Sequence, residues 1–164
     1  LAKRIGYQPA DEAYALGLFH NCGIPLMLKR FPEYMGVLEQ AYASASDEVR
    51  VVDGENDRLN TNHAVVGYYV AKSWNLPKHL CEAIANHHNV QTVFSEDSSR
   101  NSQLKTLLAI LKMAENICAC YRTLGQQDED FEWASIETTI LEYVGFSEYD
   151  FQILKESIRD LDIS

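Results

Sequence analysis

The chain has few basic residues and no long apolar run. Of its 164 residues, 14 are Lys or Arg and 24 are Asp or Glu, so the formal net charge is −10. Nucleic-acid binding depends mostly on Lys and Arg that neutralise phosphates, so we expect no nucleic-acid partner. No apolar run approaches the roughly 20 residues that a membrane-spanning helix needs, so we expect no membrane association.

The signs of a secreted protein are also missing. No charged-then-apolar leader opens the chain. None of its four cysteines forms a CxxC pair; they are Cys22, Cys81, Cys118 and Cys120. We interpret them as small buried hydrophobic residues and expect a reducing, cytoplasmic location.

Strand patterns are absent as well, and nearly every segment has helical periodicity. The most apolar helical stretch runs from Leu104 to Leu124, and we expect it to be the central helix. The last helix begins at Ser147, where SEYD resembles a capping box with Asp in the Glu position. With 46% hydrophobic and 23% charged residues, the chain is long enough for one core. The sequence therefore predicts an all-α bundle.

Two polar stretches predict loops, at 47–60 (with one helical turn at most) and at 89–103. Between them, Asn60 or Thr61 is expected to cap a helix. One face of that helix is predicted to carry His63, Val66, Val70 and Trp74.

The five histidines are more informative as a set than singly. They are His20, His63, His79, His87 and His88. Each alone is compatible with a capping role at a helix end, and His79 lies on the polar flank of its predicted helix. The other four lie at the ends of three predicted helices, and Glu115 lies inside the long one. A bundle can bring such residues to one internal site, where imidazoles with carboxylates suit Fe, Mn, Zn or Ni better than Ca.

These motifs resemble HDOD domains, a bacterial signalling branch of the HD phosphohydrolase superfamily. The similar stretches are ALGLFHNCGIPLM, NHAVVGYYVAKSWNLPKHLCEAIANHH and LKMAENI. Within the second, eight spaced positions agree in order: His63, Gly67, Trp74, Leu76, Pro77, Ile84, His87 and His88. The resemblance covers about Asp11 to Leu124 and implies one HD-domain-like helical bundle over residues 1–164. HDOD proteins usually carry more helices upstream, so we expect the chain to be the C-terminal part of a longer protein.

The resemblance also implies a site. In catalytic HD enzymes, a His-Asp pair and further His and Asp residues hold one or two metal ions, which activate water against a phosphate ester. By position, the residues matching those ligands are His20 and Asn21 for the pair, His63, His87 and His88 for the later histidines, and Glu115 for the final aspartate.

Several departures from the family pattern indicate a degenerate metal site. Asn21 has no negative charge and stabilises a cation less than an aspartate would. Pro25 stands where the phosphodiesterase subgroup often has a lysine, and HHNVQTV lacks the DGxGYP run of the cyclic-di-GMP hydrolysing branch. We therefore expect no cofactor, with a single divalent Fe, Mn, Ni or Zn ion as the alternative.

Two functions stay open at this point. The first is a non-catalytic signal-transduction or interaction module that works through protein partners or attached signalling domains. The second is a metal-dependent phosphohydrolase acting on a nucleotide or other phosphate ester. In that case the ligands of one metal would be His20, His63, His87 or His88, and Glu115, with Asn21 as a weak ligand. The sequence names neither the signal nor the partner, and it leaves an oligomer open.

Overall fold

A computed structural model describes residues 1–6, 10–96 and 101–162, and these residues form α-helices without a strand. The first helices are α1 (Ala2–Ile5), α2 (Ala10–Phe19), α3 (Ile24–Arg30), α4 (Tyr34–Ala43), α5 (Val51–Leu59) and α6 (His63–Ser73). The later ones are α7 (Lys78–Asn86), α8 (Val90–Ser95), α9 (Ser102–Ile117), α10 (Cys120–Gly125), α11 (Phe131–Val144) and α12 (Glu148–Asp162). The predicted all-α fold is confirmed.

Helix α9 is the central element of the fold. Leu107, Leu108 and Leu111 pack into a core with α2, α6 and α7. Ala109 and Met113, on another side of α9, pack into a second core with α11 and α12. A third core joins α3, α4 and α5. Because α9 is apolar on several sides, it can fill the centre of a helical domain.

The prediction of one continuous helix from Leu104 to Leu124 is wrong, because the helix is interrupted at Ala119. Ala119 adopts a left-handed conformation with φ 54°, which ends α9 and starts α10 in a new direction. Helix α10 then packs on α4, where a Cβ on Gly125 would come 2.5 Å from Tyr42 Cβ. The apolar pattern of the sequence continues through this break and therefore does not reveal it.

Both predicted loops also contain helices. Helix α5 lies within 47–60, and it begins where the Asp53 carboxylate accepts hydrogen bonds from the Arg50 backbone N–H (2.8 Å) and from the Arg50 guanidinium (2.6 Å). One of its buried residues is the ionisable Glu55, so the pattern of apolar residues alone does not predict this helix. Helix α8 lies within 89–103, with Val90 and Val93 buried. Residues 97–100 of that second stretch lie outside the described residues.

The buried face of α6 also differs from the predicted one. It carries His63, Ala64, Gly67 and Ala71, and the predicted Trp74 is 56% exposed. Small residues face inward because the turn after α2 comes very close: Gly67 lies against the Cys22 Sγ and the Gly23 backbone nitrogen. This close approach places His20 beside the start of α6.

The helix ends depend on local hydrogen bonds. Asn62, rather than Asn60 or Thr61, caps α6, because its side chain accepts a hydrogen bond from the Val65 N–H at 2.9 Å. The capping box predicted at Ser147 is present: the Ser147 N–H donates to Asp150 Oδ2, and the Asp150 N–H donates to Ser147 Oγ.

The cysteines are all free, and Cys81 is buried, whereas Cys118 is exposed. The interpretation of all four as buried residues is therefore wrong for Cys118, which lies at the break between α9 and α10, and it holds only in part for Cys22 and Cys120, which are half-buried. Among the described helices, none combines the length and the apolar character needed to cross a membrane.

We expect Gly23→Ala to destabilise the domain by about 1–3 kcal/mol, the usual cost of overpacking. A Cβ at this position would come 2.8 Å from the Gly67 backbone nitrogen and closer still to the His63 carbonyl oxygen. Urea denaturation would measure the loss. The matched control is Gly17→Ala, where nothing lies within 4 Å of the new Cβ. Equal stability of the two variants would contradict this close packing.

Candidate functional site

Four histidines from three segments meet in the interior. The ring centroids of His63 and His87 are 5.1 Å apart, those of His87 and His88 are 4.2 Å apart, and those of His20 and His87 are 5.4 Å apart. Of these rings, only His20 borders on partial exposure. His20 follows α2, His63 begins α6, and the other two end α7. The structure therefore brings together the four histidines that the sequence analysis grouped.

His63 is held by a fully buried glutamate from α5. Glu55 Oε1 lies 2.6 Å from His63 Nδ1, and Oε2 accepts hydrogen bonds from the His63 backbone N–H (2.9 Å) and the Tyr34 hydroxyl (3.0 Å). Burial and the neighbouring Glu55 carboxylate raise the pKa of Tyr34, so its hydroxyl stays protonated and donates. With the Nδ1 hydrogen directed at Glu55, a neutral His63 ring has its lone pair on Nε2.

His87 and His88 are fixed in the same way. His87 Nδ1 donates to the Ile84 carbonyl oxygen at 2.7 Å, and His88 Nδ1 lies 2.6 Å from Glu132 Oε1. Burial lowers the pKa of both rings well below the ordinary histidine value, so both are neutral near pH 7. Each ring then has its lone pair on Nε2, and His88 Nε2 finds no hydrogen-bond partner among the described residues.

One ring nitrogen from each of three histidines faces one small volume. The Nε2 atoms of His63 and His87 are only 3.2 Å apart. One potential ligand nitrogen from each of His63, His87 and His88 lies within 4.8 Å of the others. Two lone pairs at this distance repel each other unless a proton or a metal ion lies between them. Metal-bound histidines commonly donate their second nitrogen to a carboxylate or carbonyl oxygen, as all three do here.

A buried lysine and two glutamates form the other half of the site. Lys112 Nζ lies 2.8 Å from Glu115 Oε2 and 3.0 Å from Glu132 Oε2. Burial disfavours charge on Lys112, yet these carboxylates outweigh it and raise the ammonium's pKa above its ordinary value. For Glu115, burial is likewise outweighed, chiefly by Lys112 and next by His20, and its pKa lies well below the usual range.

His20 links the two halves. Its Nδ1 donates to the Gly17 carbonyl oxygen at 2.8 Å, and its Nε2 lies 3.2 Å from Glu115 Oε1, a contact that is an ion pair when the ring is protonated. Each carboxylate thus meets Lys112 through one oxygen and a histidine through the other. Glu132 repeats the pattern with His88.

Asn21 and His79 occupy different surroundings. Asn21 lies in the turn after α2. Its Oδ1 is buried and accepts no hydrogen bond within the described part of the chain, which leaves it open to a water molecule or a cation. His79 pairs with Glu12 at 2.9 Å and is partly exposed, in keeping with its predicted place on a polar flank.

A cavity of about 50 Å³ reaches His88 and Glu132 from the side of Arg50. Arg50 lines it, but its guanidinium is already bonded to Asp53 at 2.6 Å and to Asn89 at 2.9 Å. A space of this size admits water and small ions rather than a nucleotide.

Sequence analysis missed three charged residues of the site: Glu55, Lys112 and Glu132. Glu55 lay in a stretch interpreted as a loop, and Glu132 is the second residue of α11, just after the acidic run at 128–130. Only Lys112 had a usable signal, since it precedes Glu115 by three residues on the same helix and shares its face. A lysine in a largely apolar helix is otherwise expected to extend to solvent.

Residues 1–90, more than half of the chain, match the HDOD domain family. The chain therefore belongs to the HDOD family. It is also 32% identical over 91 residues to an uncharacterized protein of Treponema pallidum (strain Nichols). That match covers 55% of this chain and 17% of the relative, so the chain spans only a small part of the relative's length. No solved structure matches the chain.

We expect Tyr34→Phe to lower the free energy of unfolding by about 1–3 kcal/mol, because Glu55 would lose one of the donors to its buried charge. Urea denaturation followed by circular dichroism would measure it. Tyr14→Phe is the matched control, because Tyr14 is 75% exposed. A loss no larger than that of the control would mean that the Tyr34 hydroxyl does not stabilise the glutamate.

Proposed function

We propose that this chain is a non-catalytic module of bacterial signal transduction whose HD-type site does not hydrolyse phosphate esters. The observation that carries the proposal is the Lys112 ammonium between Glu115 and Glu132. A hydrolase with two metal ions needs free carboxylates to hold and bridge them. Here the acidic oxygens already have a cation from the chain itself.

Asn21 supports the same proposal. At the position that matches the aspartate of catalytic HD enzymes, it offers a neutral amide oxygen, which attracts a divalent cation less than a carboxylate does. The small cavity at His88 and Glu132 adds a second argument, since a nucleotide needs several hundred cubic ångströms.

A module without catalysis acts through binding, and we propose protein partners or attached signalling domains in the cytoplasm. Large apolar side chains support this choice. Tyr14 and Leu18 are exposed one turn apart on α2, and Val65 and Tyr69 are exposed one turn apart on α6. Exposed apolar side chains that adjoin on a helix surface are typical of protein-binding surfaces, whereas the net charge of −10 disfavours nucleic acid.

We expect the purified protein to show no hydrolysis of cyclic-di-GMP or of a generic phosphodiester with Mn²⁺, Mg²⁺ or Fe²⁺, measured by product release against a metal-only blank. His20→Ala serves as the control for contaminating activity. Turnover well above the blank that disappears in His20→Ala would refute the proposal and favour a phosphohydrolase.

A single divalent ion is a second candidate, and the three facing Nε2 atoms favour it. His63, His87 and His88 would hold the ion, and their oriented rings fit Zn, Fe, Mn or Ni. When bound, such an ion supplies Lewis-acid chemistry and lowers the pKa of water. Glu55 and Glu132 would keep their histidines oriented toward it. This candidate alone leaves room for a metal-dependent phosphohydrolase.

We expect Zn²⁺ at 100 times its Kd to stabilise the folded protein by about 2.7 kcal/mol, because the ion would bind only the folded state. Thermal unfolding with and without Zn²⁺ would measure the effect. His88→Gln should reduce it strongly, whereas His79→Gln, which alters a histidine outside the cluster, should leave it unchanged. An equal response of both variants would place the ion elsewhere.

A further inference from the structure

Lys112 is an unusual residue to find at the centre of a helical domain. It is 3% exposed and lies on α9 among residues that are nearly all buried. Within the described residues, its polar contacts are to the two glutamate oxygens. A buried charge is costly unless it is paired, so the lysine and the two carboxylates depend on each other.

The ammonium lies where a metal ion would meet the same oxygens. Both Oε2 atoms are within 3.0 Å of Nζ, so they converge on one point. Divalent ions bind carboxylate oxygens at roughly 2.0–2.2 Å, so small shifts would bring both oxygens into a coordination shell. The other oxygen of Glu115 lies close to His20 Nε2, and an imidazole nitrogen is a further ligand that suits a transition metal.

A lysine and a divalent ion exclude each other at this point. The ion would have to displace Nζ, which is buried, from both of the carboxylates that balance its charge. If Nζ stayed, two positive charges would be adjacent in a buried site. Without the lysine charge, the two buried carboxylates would lack a cation, and a divalent ion could then bind to them.

We propose that Lys112 is a tethered cation that occupies the acidic half of the site and so prevents a divalent ion from binding to Glu115 and Glu132. This inference rests on the proposed function, for which it gives a physical cause. The chain would then hold at most one ion, at the three histidines, and the second position would be closed by a residue of its own.

The test compares Lys112→Met with the unchanged protein. The variant keeps a long unbranched side chain but has no charge. We expect it to bind about one more Mn²⁺ or Zn²⁺ per chain than the unchanged protein, since imidazole and carboxylate ligands suit both ions. Isothermal titration would count Zn²⁺, and electron paramagnetic resonance would count free Mn²⁺. An equal ion count in the two proteins would overturn the proposal.

Two controls locate the additional ion. Lys105→Met removes a lysine from the same helix whose Nζ bonds to backbone carbonyls of Phe94 and Glu96, so its ion count should stay unchanged. The triple variant Lys112→Met, Glu115→Gln, Glu132→Gln should lose the additional ion. If the triple variant retained it, the ion would bind elsewhere and the proposal would be wrong.

The same design covers a variant that folds poorly. If Lys112→Met unfolds without ions, recovery of its helical circular dichroism on addition of Mn²⁺ or Zn²⁺ supports the proposal. If it does not refold, Lys112→Gln, whose amide still donates to one carboxylate, replaces it in the ion count with the same criterion. Hydrolysis by the unchanged protein would refute the proposed function, whereas the difference in ion count between the proteins decides the role of Lys112.

Discussion

The domain depends on charged groups that are buried and must therefore be paired. Glu55 is the clearest case, since its two oxygens accept hydrogen bonds from Tyr34 and from the backbone and side chain of His63. These contacts join α4, α5 and α6 through one carboxylate. Loss of a partner would leave a buried charge uncompensated, which costs more than an ordinary hydrogen bond contributes. The polar centre thus fixes how the surrounding helices are oriented.

The histidine half of the site and its carboxylate half differ in whether they contain a positive charge. At the histidines, each Nδ1 is directed at an oxygen, and His87 and His88 carry no positive charge because burial lowers their pKa. At the carboxylates, Lys112 supplies that charge. Glu115 and Glu132 connect the two halves, because each contacts Lys112 through one oxygen and a histidine through the other.

The sequence predicted the helical class and the grouping of the histidines well, since both follow from regular spacing. His63, His87 and His88 lie at helix ends that the flanking residues mark clearly. Glu55 and Glu132 were not predictable in the same way, because a buried glutamate looks like any surface glutamate until its partner is known. The turn at Ala119 was not predictable either, since alanine is a strong helix former and its presence does not indicate a left-handed conformation. Tertiary packing, rather than local preference, determines both.

The position of Lys112 along the chain has a consequence for biosynthesis. The three histidines and Glu55 all lie within the first 90 residues, which leave the ribosome before α9 does. Until α9 and then α11 arrive, the cluster has neither the lysine nor its two carboxylates, and the cores on both sides of α9 are open. N-terminal segments that cannot yet bury their apolar surface are exposed to aggregation and to chaperones. During synthesis, the three histidines therefore emerge before the helix that carries Lys112, the cation of the site's other half.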